Sequence, residues 1–433
     1  MDGIVYRRFP SHSENTVMWI AAFALMAFSV CVILDRHFIG HTSPLFWDMP
    51  VYLRATDLLA AGENPYVSDL LHRAGVPDYL YFISPPTVMM LFAAIAKSPL
   101  HPFFAPMLTI LHFLAMVGTP LLLGRLLFGQ SPARIALAAG AFFTLFASAG
   151  LSAFSAMNNG SALYFLILIA AITGLTAKHW TAFHVFTTIA SIFKPYYVFF
   201  WMLPVLAHGF NGRQAFIGAG LSTLAALTYI LPLWLTPDIF WAWMGNVATT
   251  LDIDDVGGNI FGAATSWDLA SEWRWLPHAA QGVYMCFLAG LLLLGRLRGR
   301  KLWAALLVGA VFMNPRPLGY DVATAAIPFA FLAATLLPRT LGSGWRLPLS
   351  TVGLAGLMMV LSYEDRIIPA AVLFPLMAAG VLTVLVLRAG KRSGGPGRRH
   401  SPEAAAMPGW HCESAAVTEN AETATRRSPS HAL

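Results

Sequence analysis

Residues 47–86, WDMPVYLRATDLLAAGENPYVSDLLHRAGVPDYLYFISPP, follow the first strongly apolar run of the chain and are too polar to cross a bilayer. Asp48, Arg54, Asp57, Glu63, Asn64 and Asp78 are spread along them, and tyrosines and prolines crowd the second half. The stretch therefore reads as a structured loop pressed against a membrane face. Val51, Tyr52, Ala55, Leu58, Leu59 and Gly62 recur at helical spacing until Asn64-Pro65 stops the pattern. This predicts a short amphipathic helix lying on the bundle or at the interface.

The remainder of the chain makes the loop exceptional. Of 433 residues, 57% are hydrophobic and 11% charged, with a mean hydropathy of +0.64. Soluble domains carry about 25% charged residues, so the composition is that of an integral membrane protein. The net charge of +6 comes from short basic clusters between apolar runs, a pattern that fits the positive-inside bias and not nucleic-acid binding. Cys31, Cys286 and Cys412 have no metal-type spacing. Arg7 and Arg8 precede an apolar run that lacks a small-residue cleavage site, which predicts an uncleaved first helix.

Spanning helices need roughly 20 apolar residues. Candidates are 17–34, 85–100, 104–127, 135–155, 160–177, 182–206, 214–235, 279–296, 302–314, 319–337, 347–362 and 367–388, so about twelve spans are expected. Twelve spans put Arg213, Arg296, Arg300, Lys301, Arg346 and Arg388 on the cytoplasmic side with both termini. They leave Arg125, Arg134 and Lys178 on the opposite side. The long acidic loops 35–84 and 236–278 share the outer face, and residues 390–433 read as a disordered cytoplasmic tail after a membrane domain over 1–389.

Several residues within this frame bear chemistry. Asp48 followed by Pro50 suits a helix N-cap, and a carboxylate fixed there also suits a general base. Lys194, in FKPYYVFF, falls about midway along the predicted sixth span. An intramembrane lysine marks a functional site unless it snorkels. Arg316 and Asp321, in NPRPLGYD, form either a surface turn or an anion-binding pair. Asn158-Asn159-Gly160 reads as a turn. Asp252-Ile253-Asp254-Asp255 has the letters of a nucleotide-sugar metal motif without the α/β domain that such chemistry needs.

The order of these features resembles bacterial glycosyltransferase family 87, the polyprenol-phosphate-mannose-dependent α-1,2-mannosyltransferases. The matching residues are Asp48, Tyr52 and Ala55, then Gly62, Asn64, Pro65 and Tyr66, then Tyr79, Tyr81 and Pro85-Pro86. Lys194-Pro195 and Asn314-Pro315 with Tyr320-Asp321 follow. Asn159-Gly160 stands where family members often have Gly-Gln, and Tyr320 and Asp321 where some carry histidines.

The resemblance implies an all-α polytopic membrane protein of GT-C type, with its active site under the first outer loop. It implies inverting transfer of a mannose-like sugar from a polyprenyl-phosphate donor to a lipid or glycan acceptor at the outer face of the cell inner (plasma) membrane. Asp48 would be the general base, with Lys194, Arg316, Asp321, Tyr81 and Tyr320 around the substrates. No metal or separate cofactor is expected, because the lipid phosphate is already an activated leaving group. Two other classes fit the composition. A multi-span transporter or flippase would show two superimposable halves, and a scaffold would leave Asp48, Lys194 and Arg316 scattered.

Overall fold

In a computed structural model, the described residues are 12–34, 49–78, 80–148, 170, 172–174, 179–202, 211–252, 276–293, 297, 299–312, 319–338, 340–341, 343–363, 377–385 and 387–388. The chain divides into Met1–Gly394 and Gly395–Leu433, and the second unit lies outside the described residues. Among the described residues every regular element is helical and no strand occurs.

Helix α1 (His12–Leu34) is followed by α2 (Met49–Ala60), α3 (Ser68–Arg73) and α4 (Pro86–Ala96). Helix α5 (Phe104–Leu123) continues through a π turn, Gly124–Phe128, and α6 spans Pro132–Ser148. Helix α7 (Trp180–Phe193) passes into a 3₁₀ segment, Pro195–Met202. Then come α8 (Gly212–Leu235), α9 (Pro237–Asp252), α10 (Leu276–Leu293), α11 (Arg300–Phe312), α12 (Gly319–Ala334) and α13 (Ser343–Tyr363). Among the described residues, three helical stretches are long and apolar enough to cross a membrane: Ser13–Leu34, His101–Phe128 and Gly212–Leu235. This is the fold of a helical membrane protein, with shorter apolar helices packed among the long ones.

Directions follow from contacts. Asn15 Oδ1 accepts from Ser131, Ala22 lies against Gly140, and Ser29 shares a 3.0 Å hydrogen bond with Thr144. Residue numbers rise together along both helices, so α1 and α6 run parallel. A Cβ on Gly140 would sit 2.9 Å from the Ala22 carbonyl oxygen, the close backbone approach that small residues permit between membrane helices. Helix α5 turns into α6 through a short connection and is therefore antiparallel to both. Leu34 and Phe104 consequently lie at the same end of the bundle.

This geometry corrects the predicted span at 85–100. Helix α4 has 11 residues, about 16 Å, roughly half the hydrocarbon thickness. It enters and leaves on one side. Removing it as a crossing reverses the assignment of the next helices, so Arg134 belongs to the same end as Arg300, Arg346 and Arg388, with which it lines one cavity. We call this the basic end and the other the far end.

A second correction concerns 182–206. Tyr229 of α8 reaches the carbonyls of Ser191 and Ile192, while Gly218, about three turns earlier in α8, lies against both His184 and Trp201. Trp201 has thus returned to the level of His184. The chain doubles back at Lys194 instead of continuing as one helix.

Two apolar cores result. The first joins α1, α5, α6, α7 with its 3₁₀ segment, and α10–α13, with α11 at its centre, where every residue from Leu302 to Phe312 is buried. A 13-residue helix this apolar on all sides needs no lipid contact, because protein surrounds it. The second core, at the far end, joins α2, α3, α4 and the start of α5. Phe216 and Trp234 of α8 are 80% and 79% exposed and about 27 Å apart along the helix. That separation matches aromatic belts at the two membrane interfaces.

Gly140→Ala should destabilise the fold by about 1–3 kcal/mol, read as a lower melting temperature in detergent, because the new methyl meets backbone. With native cysteines removed, Gln130→Cys and Lys97→Cys should label from opposite sides of the membrane. Labelling from the same side would contradict the placement of α4.

Candidate functional site

The far-end layer begins with α2, whose buried face (Val51, Ala55, Leu58, Leu59) is the one read from the spacing. Positive-φ Gly62 ends the helix, and Asn64 Oδ1 accepts from the Tyr66 N–H to turn the chain inward. Aromatic rings then connect the layer. Tyr66 packs on Phe82 at 5.3 Å, Phe82 on Phe92 at 5.9 Å, and Phe92 on Phe104 at 5.2 Å. Fully burying side chains such as Phe82 and Leu71 contributes about 1.5–3 kcal/mol each. The Tyr66 hydroxyl, whose pKa burial pushes upward, donates to the Ser84 carbonyl at 2.6 Å and remains a neutral donor.

Helix α9 covers this layer and was missed in the sequence, where 236–278 reads as an acidic loop. Its side chains at helical spacing, Ile239, Ala242, Trp243 and Asn246, face the second core. Asn246 is buried and donates to the Tyr66 and Phe82 carbonyls at 3.1 and 3.2 Å. Trp243 Nε1 donates to the Ile83 carbonyl at 3.0 Å. The two long polar segments are thereby fastened together. The available signal was Thr236-Pro237-Asp238, a helix start with proline in the first turn.

Beneath this layer lies the reversal at Lys194. Pro195 has no N–H, so the Ser191 carbonyl loses the partner that a continuing helix would give it. Tyr229 supplies the replacement, its hydroxyl lying 3.1 Å from Ser191 O and 2.6 Å from Ile192 O. Such substitution is what allows non-helical backbone at membrane depth. Lys194 is the half-buried C-cap of α7, with extended backbone (φ −136°, ψ 102°), and its charge complements the negative helix terminus. The adjoining Phe193 packs into the second core. Lys194 therefore lies near the far interface, under two turns from the level of Trp234, and not midway along a span.

The other predicted residues fall as follows. Asp48 lies outside the described residues, directly before α2. Arg316 also lies outside them, as do Tyr79 and 158–160. Tyr320 and Asp321 have described backbone in the first turn of α12, at the far end, while their side chains lie outside the description. Tyr81 is half-buried with its ring against His72 at 5.6 Å. The structure thus brings the start of α2, Lys194 and the start of α12 to one end of the bundle.

The large cavity, about 860 Å³, is at the other end. Arg134, Arg300, Lys301, Arg346 and Arg388 line it with Met18, Phe128, Phe331, Leu347 and Leu385. Sequence reasoning missed this gathering because counting 85–100 as a span placed Arg134 on the wrong side.

The structure defines a class, a helical membrane protein with a fastened polar layer at one end and a basic cavity at the other. Comparison with family models, with curated proteins and with solved structures returned no match.

Tyr229→Phe should lower stability by about 1–3 kcal/mol in the native background, since it leaves a buried carbonyl unsatisfied. The loss should shrink in a Pro195→Ala background, where a backbone N–H can bond Ser191; equal losses in both would refute the link.

Proposed function

We propose that the protein is a membrane glycosyltransferase that moves a mannose-like sugar from a polyprenyl-phosphate donor to a lipid or glycan acceptor at the far end. The observation that carries this reading is the fastening of the 49–86 segment to α9 above the Lys194 reversal. A lipid-borne donor needs a site beside the bilayer that is shielded from water, and such a layer meets that need. The motif order around Asp48, Tyr81 and Lys194 supports the same reading.

In the proposed step the acceptor hydroxyl attacks the anomeric carbon as the bond to the phosphate oxygen breaks, inverting the centre. Asp48 takes the hydroxyl proton. Lys194 and Arg316 stabilise the polyprenyl phosphate as it leaves, and no redox partner is required. Tyr81, Tyr320 and Asp321 are assigned to holding the substrates. The interfacial position of Lys194 suits a phosphate whose lipid tail stays in the bilayer.

A second reading, a transporter or flippase of lipid-linked or small polar substrates, is favoured by one observation: the large cavity opens away from the proposed reaction. Flux into proteoliposomes without product formation would favour it.

Asp48→Asn should reduce sugar transfer in membranes by about 10²–10⁴-fold while leaving donor binding intact. Lys194→Met should reduce turnover by about 10²–10³-fold with Lys194→Arg partly active. Transfer by Asp48→Asn at the native rate would remove the base assignment.

A further inference from the structure

The basic cavity goes beyond the proposed transferase reaction and does not depend on it. Its arginines are fixed by backbone carbonyls. Arg134 Nη1 donates to Phe128 O at 3.3 Å, Arg300 Nη1 to Leu127 O at 3.5 Å, Arg346 Nε to Leu341 O at 2.8 Å, and Arg388 Nη1 to Leu336 O at 2.6 Å. A carbonyl orients a guanidinium without neutralising it. Arg134 and Arg300 each keep further N–H donors beyond the one bonded to a carbonyl. Among the described residues the cavity lining contains five cationic side chains and no carboxylate; Glu14, at the start of α1, accepts from the Gly344 N–H.

Arg134 and Arg300 are the most tightly paired. Both guanidinium groups pack around Gly129, where a Cβ would lie 3.6 Å from a nitrogen of each, and the two charges repel. Gly129 has φ +113°, a conformation side chains disfavour, so the turn itself keeps this space open. Arg134 Nε is buried and has no hydrogen-bond partner among the described residues. A buried unsatisfied donor costs about 1–3 kcal/mol, and a like-charged pair in a part-buried site adds to that cost. An anion between the two arginines would relieve both. Beside them Phe128 stacks on Phe331 at 6.3 Å, and Leu347 and Leu385 complete an apolar wall.

We propose that this cavity binds a phosphate group, with Arg134 and Arg300 as its paired contacts and the Phe128–Phe331 wall taking whatever apolar chain the phosphate carries. Planar guanidinium groups match phosphate oxygens in bidentate geometry. The phosphate is either that of a membrane lipid or a free ion, and the two sources are separable.

The test uses the purified full chain in detergent, titrated with short-chain phosphatidic acid, with inorganic phosphate, and with short-chain diacylglycerol at matched ionic strength. The readout is the shift in melting temperature. A saturable shift with phosphatidic acid alone identifies a lipid head group; shifts with both phosphate ligands identify the phosphate as sufficient. Arg134→Gln and Arg300→Gln should each weaken the apparent affinity about tenfold or more. Thr335→Glu, which adds a carboxylate to the lining, should keep or raise the ligand-free melting temperature while abolishing the shift. No saturable shift with either phosphate ligand, a shift with diacylglycerol equal to that with phosphatidic acid, or shifts unchanged in all three variants would overturn the proposal.

Discussion

The structure depends on one constraint, that backbone polar groups within about 30 Å of hydrocarbon must find partners inside the protein. Helix α4, at 11 residues, cannot cross that thickness, so it returns to the side it came from and carries its neighbours with it. The described residues from Met49 to Phe104 then belong to the end where α1 finishes. That single consequence gathers the second core, holds α2 over the bundle, and brings Arg134 to the end where the later basic clusters lie.

The same constraint shapes the reversal after α7. Pro195 breaks the helix, and the Tyr229 hydroxyl accommodates the break by sharing its one hydrogen between the Ile192 and Ser191 carbonyls, at 2.6 and 3.1 Å. Lys194 gains a fixed position at a helix end close to the far interface, where a cation is less costly than at the bilayer centre. In the proposed reaction this is where a departing lipid phosphate would need a counter-charge. Asn246 has a comparable role above it, because its two donors join segments more than 160 residues apart in sequence.

Much of the helical layout was legible from hydropathy. Cores of the predicted runs at 17–34, 104–127, 214–235, 279–296, 302–314, 319–337 and 347–362 coincide with helices, because apolar runs flanked by charge leave few alternatives. The amphipathic face of α2 was legible at period 3.6. What failed were directions. Hydropathy measures how apolar a run is, and 85–100 and 182–206 are apolar enough, yet one is too short and the other contains Lys194-Pro195. Helix α9 was hidden by the acidic residues that follow it, although Thr236-Pro237-Asp238 announces its start. Of the site residues, Lys194 and Tyr81 are described and the start of α12 carries Tyr320 and Asp321, while Asp48 and Arg316 lie outside the described residues. Of the basic cavity's five cations, the sequence put Arg300, Lys301, Arg346 and Arg388 on one side but not Arg134, at the start of α6, whose sidedness depends on α4.

The central claim, that a lipid-phosphate sugar reacts beneath the fastened layer at the far end, is tested most directly by photo-crosslinking in native membranes. A polyprenyl-phosphate sugar carrying a photoreactive group on its first isoprene unit would be irradiated with the protein, and the adducts mapped by mass spectrometry. Adducts are expected in peptides covering 49–86 and 187–201, and unlabelled donor should compete them away. Labelling absent from both peptides, under conditions where the donor is consumed, would contradict the claim.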